Sequence, residues 1–286
     1  MKLAALAAAF LLALSACSSQ TALKPLKYTN HVDTIPEDCR LALKLPNNPH
    51  VAFSGEINFD NAGGPGASIL YPAPNALGLI AAIATHAAIA GSVQDSQKKE
   101  MQKQADQVLV PYKTVIDGFS HTELSTPVLS RQAVPAGIAI VPSDVADEWI
   151  LESMPVYILS QDKSTLILQN TVAVYPARKP GTVLYKNLVE IVSDPVGQPD
   201  AYWAGDGGEK LKSISQDLFA QSMQVTIDDI RRQGGAEDPY KTFHYRQGNA
   251  DKIERGQLIS AASKRITIRT LRGWVMSVPV ADDYAP

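Results

Sequence analysis

Apolar residues recur along this chain in two rhythms. Within residues 76–118 the spacing is three and four, which lays apolar side chains along one stripe of a helix. Met101, Ala105, Val108, Leu109 and Tyr112 form that stripe, and Lys98, Lys99, Glu100, Lys103 and Asp106 form a solvated opposite face. Pro111 is expected to kink or end the helix and Gly118 to stop it. The stretch just before, Ala76–Gly91, is built of alanine, leucine and isoleucine, strong or adequate helix formers. Its length gives about 24 Å of helix, short of the ~30 Å hydrocarbon core of a bilayer. A helix buried in the protein fits best, although small residues at Gly78, Ala82 and Ala90 also suit self-association or membrane contact.

From about Val134 the rhythm shortens to that of strands. Trp149–Ser160 and Thr165–Tyr175 are rich in β-branched and aromatic residues and flank the hairpin-like Gln161-Asp162-Lys163-Ser164. Thr182–Val192 is a third strand. Asp194–Gly208 reads as a Pro/Gly-rich loop, and Glu209–Arg232 as a long helix with Leu211, Ile214, Leu218, Met223, Ile227 and Ile230 near one side. Asp228 and Asp229 lie at the end of that helix where the dipole disfavours acids. Residues 240–280 then read as a meander of four strands: Lys241–Arg246, Ile253–Ser260, Lys264–Leu271 and Trp274–Val278. Strict alternation in Arg265–Thr270 puts isoleucines on one face. Before residue 76, breakers dominate; Leu41–Leu45 and His50–Phe59 are short strand candidates, and Asp60–Ser68 is a Gly-rich loop without phosphate-loop spacing. The fold class expected is α+β: an N-terminal helical region, then a mainly antiparallel β-sheet with one long helix and a C-terminal β-meander.

The N-terminus carries a separate signal. Met1-Lys2 is followed by an apolar run from Leu3 to Leu14, then by Ser15-Ala16-Cys17. A basic start, a short apolar core and small residues before a cut site describe a secretory signal peptide. Leu14-Ser15-Ala16-Cys17 resembles the lipobox of bacterial lipoproteins at all four positions. The resemblance implies that the sulfur of Cys17 receives a diacylglycerol, that the chain is cut before it, and that the new amino terminus is acylated. Three acyl chains anchor stably where one does not. Ser18 is similar to the outer-membrane pattern of Gram-negative lipoproteins; in another kind of cell the same anchor would hold the chain on the cell membrane. The expected organisation is a signal peptide over 1–16, a lipidated tether over 17–27, an N-terminal region with the Ala/Gly-rich helix over 28–133, and an α+β region over 134–286.

Composition adds mostly exclusions. The 286 residues hold 26 basic and 29 acidic side chains, a net charge of −3, which offers no support for nucleic-acid binding. With Cys17 acylated, Cys39 is left as the second of two cysteines, which fits a buried small hydrophobe. His31, His50, His86, His121 and His244 are too dispersed to show metal spacing. S-x-x-K occurs at Ser96–Lys99 and Ser160–Lys163, close to what chance supplies, and its companion motifs are absent. No catalytic residue, metal or cofactor is assigned. Tyr202 and Trp203, beside glycines in the expected loop, are candidate contacts for a ligand or partner, or else a lid on the core. The expected role is non-enzymatic: an envelope lipoprotein facing the periplasm, tied to membrane lipid through Cys17, docking or scaffolding an envelope protein. A periplasmic hydrolase of cell-wall or glycan material and a glycan or small-ligand binding module are the alternatives.

Overall fold

The computed structural model describes residues 29–30, 35–36, 39–57, 92–130, 138–142, 149–232, 239–262 and 264–280. Cys17, the Gly-rich loop at 60–68 and the helix expected over Ala76–Gly91 lie outside them.

The architecture is α+β. Its strands are β1 (Thr29–Asn30), β2 (Arg40–Lys44), β3 (Ala52–Gly55), β4 (Ala139–Pro142), β5 (Trp149–Leu159), β6 (Leu166–Pro176), β7 (Tyr185–Val192), β8 (Lys241–Gln247), β9 (Ala250–Ala262), β10 (Arg265–Thr270) and β11 (Val275–Pro279). They make one mixed sheet in the order β4-β2-β5-β6-β7-β11-β10-β9-β8, with β1 on β7 and β3 on β5. Most neighbours are antiparallel, but β2 runs parallel to both β4 and β5, β3 runs parallel to β5, and β11 runs parallel to β7.

Strands β2 and β3 lie end to end along one edge of β5. β2 pairs with Trp149–Glu152 and β3 with Val156–Leu159. Pro155, which has no N–H to give a ladder, falls at the gap between them. The sheet therefore draws strands from both 28–133 and 134–286, and the change of rhythm near residue 134 does not divide it. β6 is buried at nearly every position because both faces are covered.

The helices are α1 (Ser92–Ala105), a 3₁₀ run at Asp106–Tyr112, α2 (Lys113–Gly118), α3 (His121–Ser130), α4 (Pro199–Ala204), a 3₁₀ turn at Gly205–Gly208, and α5 (Glu209–Arg231). The α1 stripe runs on into the 3₁₀ segment that contains Pro111, with Ala105, Val108 and Tyr112 buried, and α2 ends at Gly118 as expected. α3 and the helical turns at 199–208 were not expected; Pro199 supplies a helix start there, not a loop. The close approach of β3 to α1 demands glycine at residue 55, where a Cβ would sit 1.9 Å from the Ala105 carbonyl oxygen. Gly55 N–H instead donates to Asp106 Oδ1 at 2.8 Å.

α5 covers one face of β6 and β7. Its buried positions, Leu211, Ser215, Leu218, Phe219, Met223, Thr226 and Ile230 among them, step by three and four. The core under it includes Leu41, Tyr112, Leu124, Leu151, Tyr157, Val174 and Trp203, so both halves of the chain contribute. A second, smaller core lies on the opposite face. There β8–β11 curl over Ile167 and Val192, bringing Phe243, Tyr245, Ile266, Ile268, Met276 and Val278 together.

Candidate functional site

The side chains singled out by sequence do not form a site. Trp203 is fully buried and its indole N–H donates to the Lys163 carbonyl oxygen at 2.6 Å. Trp203 is thus a core residue, in keeping with the alternative that it lids the core: α4 turns it inward beneath the β5–β6 turn. Tyr202 is half-buried and stands edge-on to it, ring centroids 5.0 Å apart. Cys39 is buried, as expected of a small hydrophobe. In the Ser160–Lys163 motif, the Ser160 hydroxyl donates to Asp162 Oδ1 at 2.6 Å, and Lys163 Nζ pairs with Asp200 at 2.8 Å, so neither is poised as a nucleophile or base.

Tertiary structure does bring together two of the dispersed histidines. His50 bridges to Ser120, and His121 N–H donates to the Pro49 carbonyl oxygen at 3.0 Å. His121 is buried, and burial with the nearby His50 holds its pKa below the usual range. Among the described residues, no three His, Cys, Asp or Glu side chains converge closely enough to hold a metal ion.

The structure buries two acids, one on each face of the sheet; the sequence marks Asp229 only by its place at a helix end and does not single out Glu190. On the α5 face, Asp229 accepts from the Tyr185 hydroxyl at 2.7 Å and from Asn187 Nδ2 at 3.2 Å, and it forms an ion pair with Arg269 reaching from β10. Strand alternation puts Tyr185, Asn187 and Arg269 all on that face. The same layer holds a chain of polar contacts: Ser153 Oγ donates to Asn170 Oδ1 at 2.9 Å, and Asn170 Nδ2 donates to Ser222 Oγ at 3.0 Å.

The other acid is Glu190 of β7, 5% exposed, on the face covered by the meander. Its Oε2 accepts from Gln169 Nε2 of β6 at 2.8 Å, across the register pair that joins those strands. Burial raises its pKa to about 7; the Gln169 bond opposes the rise, the charges of Glu254 and Glu56 add to it, and Arg272 offsets part of it. Glu56 and Glu254 are themselves shifted upward, chiefly by burial. Tyr245 of β8, raised by burial and by the charges of Glu190, Glu254 and Glu56, completes the cluster. Thr270 Oγ1 and Trp274 Nε1, in step with the inward residues Ile268 and Met276, are buried without a hydrogen-bond partner among the described residues. The Arg272 guanidinium lies over the Trp274 ring, 5.2 Å from its centroid.

A fastened hairpin closes this region. β8 and β9 join through Gly248-Asn249, and Gly248 has φ +62°, the first central position of a turn that wants glycine. Gly248 N–H donates to Thr165 Oγ1 and Asn249 N–H to Asp162 Oδ2, each at 2.7 Å. Gln247 Nε2 donates to Glu56 Oε1 at 2.7 Å, and Lys252 Nζ lies 3.9 Å from the same carboxylate. A Cβ at residue 248 would come within 2.7 Å of Asp162 Oδ2, so only glycine allows this approach. Burial pushes the Asp162 pKa up, but bonds from Ser160, Ser164 and Asn249 outweigh it and leave it below the usual value. Asp162 holds the tip as an anion; Glu190, under the middle of the hairpin, favours the neutral acid.

No protein-family model, curated protein or solved structure matches this chain.

Proposed function

We propose that this chain is an envelope lipoprotein, held on the periplasmic side of a bacterial outer membrane by acylated Cys17, and that it docks or scaffolds a partner protein in envelope assembly or maintenance without performing catalysis. The observation that carries the proposal is Leu14-Ser15-Ala16-Cys17 at the end of a short apolar run with a basic start. Ten residues of small and polar character after Cys17 would lift the folded region off the lipid surface. The non-enzymatic part rests on how the polar side chains are used: Ser153, Asn170, Ser222, Tyr185 and Asp229 join helix to sheet instead of lining a cleft.

Metabolic labelling with palmitate tests the anchor. Wild-type chain takes the label and fractionates with outer membranes, and Cys17→Ser loses both; full labelling of Cys17→Ser overturns the proposal. Cross-linking in intact cells followed by mass spectrometry tests the docking role, with one recurrent envelope protein expected. Glu190 favours a second reading, a hydrolase of cell-wall or glycan material, since a carboxyl raised to about 7 suits a general acid. Its near-complete burial weighs against that reading, because substrate must reach the carboxyl.

A further inference from the structure

The β8–β9 hairpin is tied at its tip and lies over an acid at its middle. β8 pairs with β9 along its whole length, while its other edge meets the sheet through one bridge, Tyr245 to Val280. Phe243 and Tyr245 of β8 also pack into the second core, and the tip adds a polar hold, where residues 247–249 bond to Glu56, Asp162 and Thr165. Below the hairpin, the charged or titratable groups that face Glu190 come from four places: Glu254 on β9, Tyr245 on β8, Glu56 just beyond β3, and Arg272 in the β10–β11 turn. Gln169 from β6 is its neutral partner. Of the two nearby cations, Lys252 pairs with Glu56 and Arg272 stacks on Trp274 while facing both Glu190 and Glu254.

We propose that this hairpin is a proton-operated clasp, closed over the sheet while Glu190 is a neutral acid and loosened when Glu190 becomes a carboxylate facing Glu254 and Glu56. A third negative charge on this face has a single amide for a hydrogen bond and shares one guanidinium with Glu254. Water would stabilise that charge, and lifting the middle of β8 admits water while β9 stays paired to β10, at the cost of exposing part of Phe243 and Tyr245. The tip anion, Asp162, keeps its charge through this range, so the hairpin is released at its middle first. The carboxyl value near 7 puts the event around neutral pH.

Hydrogen–deuterium exchange on the full chain, expressed as protection factors from pH 5.5 to 8.5, tests this. Protection over residues 241–257 should fall through neutral pH by up to tenfold per unit while β6 stays unchanged. Glu190→Gln, which keeps the acceptor for Gln169 but cannot ionise, should show no such fall. Glu254→Gln should move the midpoint to lower pH and Arg272→Ala to higher pH. A flat wild-type profile over 241–257, or the same fall in Glu190→Gln, overturns the proposal. Should Glu190→Gln fail to fold, the two midpoint shifts decide it, and shifts in the wrong sense or none at all count against the clasp.

Discussion

On the α5 side of β7, Asp229 meets a guanidinium, a phenol and a side-chain amide; on the other side, Glu190 meets one amide and faces two further acids. The two carboxyls are buried to almost the same degree. What differs is the partner set. A buried acid with a cation and two donors is a fixed tie between helix and sheet. A buried acid with one neutral donor is instead a group whose charge depends on pH. Of the other buried polar groups, the Ser153–Asn170–Ser222 chain on the α5 side is satisfied, whereas Thr270 Oγ1 and Trp274 Nε1 on the meander side, and His121 Nδ1 on α3, have no hydrogen-bond partner among the described residues. One face is built for permanence and the other can be opened.

The comparison breaks first if the α5 side is not a packed core. Trp203→Ala removes the largest fully buried side chain there, and should cost about 4 kcal/mol in a urea titration. A wild-type midpoint would mean that the indole is not structural. Asp229→Ala leaves Arg269 and the Tyr185 hydroxyl without their acceptor. It should cost about 3 kcal/mol, the low end for a broken buried pair because the Arg269 side chain is 26% exposed. A loss below about 1 kcal/mol would undo the contrast with Glu190.

Glu190 should instead make stability depend on pH. Its ordinary value is 4.5 and its folded value about 7. Between these, the folded chain keeps a proton that the unfolded chain has released, so stability falls as pH rises and levels off above about 7. The fall attributable to Glu190 is on the order of 3 kcal/mol across that window. Denaturation midpoints of Glu190→Gln against wild type from pH 5 to 8 measure it; parallel curves would remove Glu190 from the account.

Much of this molecule is legible in local pattern. The alternation at Arg265–Thr270 does put Ile266 and Ile268 in a core, and the three-four spacing of Leu211–Ile230 does mark α5. Long-range pairing is not legible, because nothing local tells β11 to lie parallel to β7 or β2 to lie along β5. The helical turns at 199–208 are hidden in the sequence because Pro199 and the following glycines read as a loop, while Pro199 is the first residue of α4. Glu190 had a readable signature, a lone acid inside the apolar run Leu188–Val192, where a solvated strand would alternate. Asp229 had none: only folding brings Arg269 to it.

The smallest effect belongs to α3, which packs on α5. Ser120-His121-Thr122-Glu123 is a capping box at the start of α3, which carries Pro127 in its interior. Ser120 Oγ accepts from Glu123 N–H at 3.2 Å, and Glu123 Oε2 accepts from Ser120 N–H at 2.9 Å. Lys212 of α5 reaches the other Glu123 oxygen at 3.1 Å. The Ser120 backbone and Lys212 bonds keep Glu123 below its ordinary pKa, so its contribution is present above about 4.5 and fades as pH falls through the folded value. That is the reverse of Glu190. Ser120→Ala should therefore lower stability by about 1 kcal/mol, equally at pH 6 and pH 8. A loss that grew between those values would tie α3 to the meander face and erase the division between the two sides.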